Sequence, residues 1–242
     1  MTGGRRALAA LLLVPVLVSA LVSVSGPLRA ADAPVLVIDP LAVARALTRS
    51  CSAPFDLMVQ PLLDYCDTWD GRNDDPELIA EARATLIRLG LTDAALFDGL
   101  EISWCPLQRV NGMAPRANRV LLNPSYKSRP VDLVALLGHE MVHIRQYRDW
   151  GEEQFRCRYG REIAGGHGMQ RANPIEREAY EEEDGIRAHL RLELARPLTA
   201  AENGASARCR SGEGSCFLPS ARPVGSACGC PSEIGLSPGT VY

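Results

Sequence analysis

The chain has 242 residues, of which 46% are apolar and 23% charged, with a formal net charge of −3. That is the composition of one globular domain with appendages, and it excludes a disordered or collagenous chain. Lys127 is the only lysine, and no basic excess exists to neutralise phosphates, so nucleic acid is excluded as the main partner.

Arg5 and Arg6 precede an apolar run from Ala7 to Val24, which Gly26-Pro27 ends before the small residues Ala30 and Ala31. Residues 1–30 therefore read as a secretory signal peptide cleaved near Ala30 or Ala31. The alternative is an uncleaved membrane anchor, because about 18 apolar residues can just span a bilayer. No other segment is read as membrane-spanning. Removing residues 1–30 takes away Arg5, Arg6 and Arg29 and no acid, leaving 23 basic against 29 acidic residues. The eight cysteines, even in number, fit a secreted or periplasmic location.

Residues 31–75 read as a helical N-terminal extension, with apolar residues at helical spacing in Pro40–Arg49 and Pro54–Tyr65. Cys51 and Cys66 bracket the second segment and are expected to pair, as are Cys105 and Cys157. Residues 76–195 form the main domain. Asp75-Pro76 opens a helix whose stripe is Leu78, Ile79, Ala82, Leu86 and Leu89, and Gly90 ends it. Leu100–Trp104 alternates like a strand and Arg119–Leu122 is a second β-rich run. With Asn111-Gly112 and Pro115 between them, a hairpin or small antiparallel meander is expected. A long helix then runs from about Val131 to Trp150, opened by Pro130 and ended by Gly151. Residues 152–172 are mixed, with a turn at Gly165-Gly166-His167-Gly168. Asn173-Pro174 starts a last helix that reaches about Ala195. Residues 196–242 are a Gly/Ser/Pro/Cys-rich tail whose four cysteines are expected to pair among themselves.

The informative segment is Gly138-His139-Glu140-Met141-Val142-His143. Two imidazoles four residues apart on a helix project from one face and can share a tetrahedral ion, while the intervening Glu can reach a metal-bound water. The chain has four histidines, and two of them fall in this pattern. The apolar flanks Val134, Leu137, Val142 and Ile144 place the helix in a core, where polar groups need partners. A catalytic zinc usually takes a third protein ligand and leaves one position open. Asp149 has a suitable offset only if the helix breaks at Gln146, a good helix former; on an unbroken helix it lies about 9 Å beyond His143. Glu176 is the favoured third ligand, against a reading as part of a capping box with Asn173. Glu178 is the fallback. It points about 160° away from Glu176, so only one of the two can serve.

Residues about 91–183 resemble the metallopeptidase core domain associated with extracellular contractile injection systems, a relative of the gluzincin zinc peptidases. The resemblance rests on Leu96-Phe97-Asp98-Gly99-Leu100-Glu101-Ile102, on Leu137–Tyr147 and on Asn173-Pro174-Ile175-Glu176-Arg177-Glu178-Ala179. It implies zinc held by His139, His143 and Glu176, with Glu140 as general base. Many gluzincins orient a ligand histidine through an Asp four residues after the Glu ligand. Tyr180 stands there instead, so Asp184 or a backbone carbonyl would have to serve.

The expected protein is thus α+β: a zincin-like domain with a small antiparallel sheet, an active-site helix, a downstream ligand helix and a Cys-rich tail. Its expected function is an exported zinc (Zn2+) metallopeptidase acting on a peptide or protein substrate. Tyr180, His167 and Tyr159 are candidates to stabilise the oxyanion; an ordinary loop residue is the alternative for His167, and His189 is read as solvent-facing. The competing reading is a non-catalytic secreted binding or structural module that keeps the fold.

Overall fold

The computed structural model describes residues 50–196, 204–212, 214–232 and 235–242. The signal segment and the helix expected over Pro40–Arg49 lie outside the described residues. The chain is α+β, with five α-helices among the described residues. They are α1 (Ala53–Thr68), α2 (Pro76–Arg88), α3 (Pro130–Trp150), α4 (Glu152–Ala164) and α5 (Pro174–Ala195). No helix among the described residues is long and apolar enough to cross a membrane.

Every residue of α3 from Leu133 to Ile144 is buried. A helix buried on all sides must be the centre of its domain, and α2, α4, α5 and the strand β2 (Gly112–Arg116) all pack on it. The approach of α5 is close at Gly138, where a Cβ would meet the Ile186 side chain at 2.2 Å. At its start, the N–H of Ile175 donates to the Asn173 side chain at 2.9 Å. The end of α2 is set by Gly90 in the left-handed region, with Gly90 N–H donating to Ile87 and Leu91 N–H to Leu86. This pair of bonds satisfies carbonyls that the last turn leaves open. Asp75 precedes α2 but does not cap it; its carboxylate pairs with Lys127 at 2.8 Å.

The small sheet corrects the expected antiparallel arrangement. Its order is β1-β3-β2, with β1 (Glu101–Trp104) parallel to β3 (Arg119–Leu122) and β2 antiparallel to β3. The two runs read as strands are both present, but β2 lies between them in sequence and returns the chain, so they point the same way. Pro115 lacks an N–H, and β2 accommodates it as an edge strand with a register shift between Met113 and Arg116. Helix α4 also departs from the expected mixed segment. Its apolar residues are few but fall at Phe155, Tyr159 and Ile163, one per turn, and all three are buried.

The disulfides are Cys51–Cys157, Cys66–Cys105, Cys209–Cys228 and Cys216–Cys230. The tail cysteines pair among themselves as expected. The expected Cys51–Cys66 and Cys105–Cys157 pairs do not occur, because α1 holds Cys51 and Cys66 at opposite ends, about 22 Å apart along its axis. A disulfide needs Cα atoms within about 7 Å. Cys51 is instead joined to α4, and Cys66 to the residue that follows β1.

The tail is a four-stranded antiparallel sheet of order β5-β4-β7-β6, comprising β4 (Ala205–Ser211), β5 (Gly214–Pro223), β6 (Ala227–Ser232) and β7 (Gly235–Val241). It docks on α2, where Arg88 lies over the Phe217 ring and donates to the Leu218 carbonyl. Arg208 and Tyr242 bind carbonyls at the end of α5. Burial under this contact pushes the Glu81 carboxyl up to about 7, against the pull of Arg88.

Two predictions concern stability. A Cβ at Gly160 would stand 2.4 Å from the Cys51 carbonyl oxygen, whereas Gly185, exposed on α5, has nothing within 4 Å. Gly160→Ala is therefore expected to destabilise by about 2 kcal/mol through overpacking, and Gly185→Ala to stabilise by up to about 1 kcal/mol, both read by thermal unfolding. Glu81, with a raised native pKa, binds its proton more tightly in the folded state, so its stabilising contribution fades between about pH 4.5 and 7. Glu81→Gln should accordingly raise the melting temperature at pH 8, and the difference from wild type should close towards pH 4.

Candidate metal centre

His139 and His143 sit four residues apart on α3, and Glu176 lies in the first turn of α5. All three are buried, and their ligand atoms lie within 4.8 Å of one another. His139 Nε2 is 3.4 Å from one Glu176 oxygen, and His143 Nε2 is 3.6 Å from the other. Two ligands at about 2.1 Å from a tetrahedral ion stand about 3.4 Å apart, so the spacing fits one ion between them. Glu176 does not act as a capping-box residue. The N–H that such a box would bind, that of Asn173, donates to the Gln170 carbonyl.

The supporting residues orient each ligand. Gln146 is fixed by its amide NH2, which donates to the Ile175 carbonyl at 3.2 Å and to Glu178 at 2.8 Å. Both partners only accept, so the Gln146 oxygen must face His143, whose Nδ1–H donates to it at 2.9 Å. The Nε2 of His143 is thereby turned towards Glu176. On His139 the matching role falls to Glu183, whose carboxylate stands 3.1 Å from Nδ1 at an ion-pair distance, without hydrogen-bond alignment. Arg187 in turn grips Glu183 and reaches Asp132 at 3.0 Å. Tyr159, on α4, donates its hydroxyl to Glu176.

Glu140 is buried beside the histidines, next to the first residue of β2. A Cβ at Gly112 would stand 2.5 Å from its Oε1, so glycine lets the carboxylate rest in this position. Its Oε2 has no partner among the described residues. Burial pushes the Glu140 carboxyl up to about 7, although both histidines pull it down. Burial opposes the charge of Glu176 too, but His143 and His139 hold that carboxyl well below its usual range. Burial would lower His139, yet Glu176 and Glu183 override it and raise the imidazole to about 10. Burial and Glu176 together keep the Tyr159 hydroxyl protonated as a donor.

These charges make the pocket attractive to a cation. Arg187 balances Glu183, which leaves Glu140 and Glu176 as buried acids beside two imidazoles. Protonated imidazoles offset the Glu176 charge in the metal-free protein, and a divalent ion between the same groups would take over that role. Two other clusters, Cys209/Cys216/Cys230 and Cys51/Glu153/Cys157, have similar spacing, but every cysteine in them is disulfide-bonded and offers no thiolate.

The remaining candidates divide clearly. Asp149 is exposed on an unbroken α3 and does not approach the site. Glu178 binds Gln146 and Arg145 and so supports His143 indirectly. Asp184 pairs with Arg171 and Arg187 and leaves His139 to Glu183. Tyr180 lines the cleft with its ring edge-on to His139, 4.8 Å between centroids. His167 lies half-exposed at the rim, its Nδ1 held by Glu162 at 2.7 Å. His189 is partly buried near the end of α5, away from the cleft. Sequence reasoning missed Gln146 and Glu183 as orienting residues. The available signal was spacing: Glu183 is seven residues after Glu176, two turns along the same face, and Gln146 is one turn beyond His143.

The site opens into a cleft of about 560 Å³, walled by α1, α4, the segment leading into β2 and the loop after α4. No described residue of the tail lines it. Comparison with known families, curated proteins and solved structures returned no match to this chain.

Gln146→Leu removes the acceptor that fixes His143 and is expected to weaken metal binding about 10- to 100-fold. Competition titration with a chromophoric chelator measures the loss, and an unchanged circular dichroism spectrum excludes unfolding as its cause.

Proposed function

We propose that the protein is an exported zinc-dependent metallopeptidase. The observation that carries this reading is the convergence of His139, His143 and Glu176 with Glu140 on the floor of one cleft. Two neutral nitrogens and one carboxylate are a common ligand set for catalytic zinc. A divalent ion held there supplies a Lewis acid and makes a bound water more acidic.

The chain's own groups account for the remaining needs of peptide hydrolysis. Glu140 takes a proton from the attacking water and returns it to the leaving amine. A structural site would have no use for this residue, which is buried with one oxygen unpartnered. Tyr159 is committed to Glu176, which removes it as a donor to the oxyanion. Tyr180 is better suited, since it lines the cleft and its hydroxyl has no partner among the described residues. His167 is the second candidate, with Nε2 uncommitted at the rim.

The cleft also suits a polypeptide. β2 is an edge strand along its wall, with one side unpaired in the sheet. An extended segment can add to such an edge through main-chain hydrogen bonds. Export is supported by the apolar N-terminal segment and by the pairing of every described cysteine.

Glu140→Gln is expected to bind one zinc per chain yet lose hydrolysis by at least about 100-fold, whereas His143→Ala should lose both metal and activity. Metal analysis and a casein digest with and without chelator measure both. Stoichiometric zinc without chelator-sensitive cleavage would identify a non-catalytic module.

A further inference from the structure

Arg109 lines the cleft and carries the only permanent positive charge among its lining residues, opposite a floor that holds Glu140, Glu176 and Glu183. It is exposed, and no described residue pairs with its guanidinium. Its backbone lies in the left-handed region at φ 66, where a bulky L residue is strained. Of the described residues only Asp75 shares this property, and Asp75 gains an ion pair with Lys127. Arg109 gains no such contact among the described residues.

The strained conformation is enforced from both sides. The Asn123 side-chain amide donates to the Leu107 carbonyl at 2.6 Å and to the Val110 carbonyl at 3.3 Å, bracketing Arg109. The Asn123 N–H adds a bond to the Asn111 carbonyl at 2.8 Å. Before this loop, Cys105 is tied to Cys66 and its N–H donates to Leu122. Three residues beyond Arg109 stands Gly112, against which Glu140 rests. Strain that its surroundings over-determine is concentrated at functional positions, and this loop presents a cation to the same cleft that Glu140 lines.

We propose that Arg109 is a specificity-determining residue that receives a carboxylate of the substrate. The inference rests on the peptidase reading and deepens it by naming a substrate class. An extended chain laid along β2 passes Arg109 close to the bond that faces Glu140. A planar guanidinium binds a carboxylate through two parallel hydrogen bonds. The carboxylate belongs either to an Asp or Glu side chain or to the chain terminus.

The test uses the oxidised, zinc-loaded full chain and short synthetic peptides in matched sets: Glu against Gln at each position, each with a free or an amidated C-terminus. Wild type should favour the carboxylate-bearing member by about fivefold in kcat/KM, and the position of the effect, side chain or terminus, identifies its source. Arg109→Gln should bring the ratio near one, Arg109→Lys should keep part of it, and Arg109→Glu should invert it. Arg109→Gly relieves the backbone and should melt higher while losing the preference. Cleavage that ignores both carboxylates, or a preference that survives in Arg109→Gln, would overturn the assignment and leave the peptidase reading standing. Peptide binding to the Glu140→Gln variant separates the converse case: carboxylate-dependent binding lost on Arg109→Gln, in a protein that cleaves nothing, supports the subsite and removes the peptidase reading.

Discussion

The structure depends on bringing two imidazoles and a carboxylate together in a buried seam between α3 and α5. Burying Glu140, Glu176 and Glu183 within one region is costly unless positive charge and hydrogen bonds compensate. Arg187, Gln146 and Tyr159 supply part of that compensation, each from a different position around the seam. At Gly138 the missing side chain leaves room for the tip of Ile186 against α3. Glycine in a helix interior usually weakens it, and at this position the weakness is offset by the contact that carries the site.

The same logic explains how the supporting elements are used. Helix α4 has few apolar residues, but Phe155 and Tyr159 face His143, and Tyr159 completes the environment of Glu176. Helix α1 packs on α4 through Phe55 and closes one wall of the cleft. The tail sheet lies elsewhere, on α2 and the end of α5, where it buries Glu81. Its place in the fold is that of a brace.

The parts of the fold that sequence made readable are those whose signals are local. Helices α3 and α5 carry their own boundaries in Pro130, Gly151 and Asn173-Pro174, and the histidine spacing places both imidazoles on one face. Strand β2 is short, contains Pro115 and lacks alternation, so nothing in it announces a strand, and the parallel pairing of β1 with β3 follows from its presence. Disulfide partners depend on which helix ends meet in space. The length of α1 already separates Cys51 from Cys66, but no local feature says that α4 and the end of β1 will meet them. The four-residue offset that the resemblance implies leads from Glu176 to Tyr180, and Asp184 pairs with Arg171 and Arg187. The geometry of α5 repeats every seven residues, and that period leads from Glu176 to Glu183.

The link between Cys51 and Cys157 binds the two helices that wall the cleft, and Cys157 is only two residues from Tyr159, which holds the third ligand. Wherever sulfur is kept reduced, this wall lacks its covalent tie, and the ligand helix loses a neighbour anchored in place. Oxidation of this one pair thus sets how firmly α4 is tethered to the chain that enters α1.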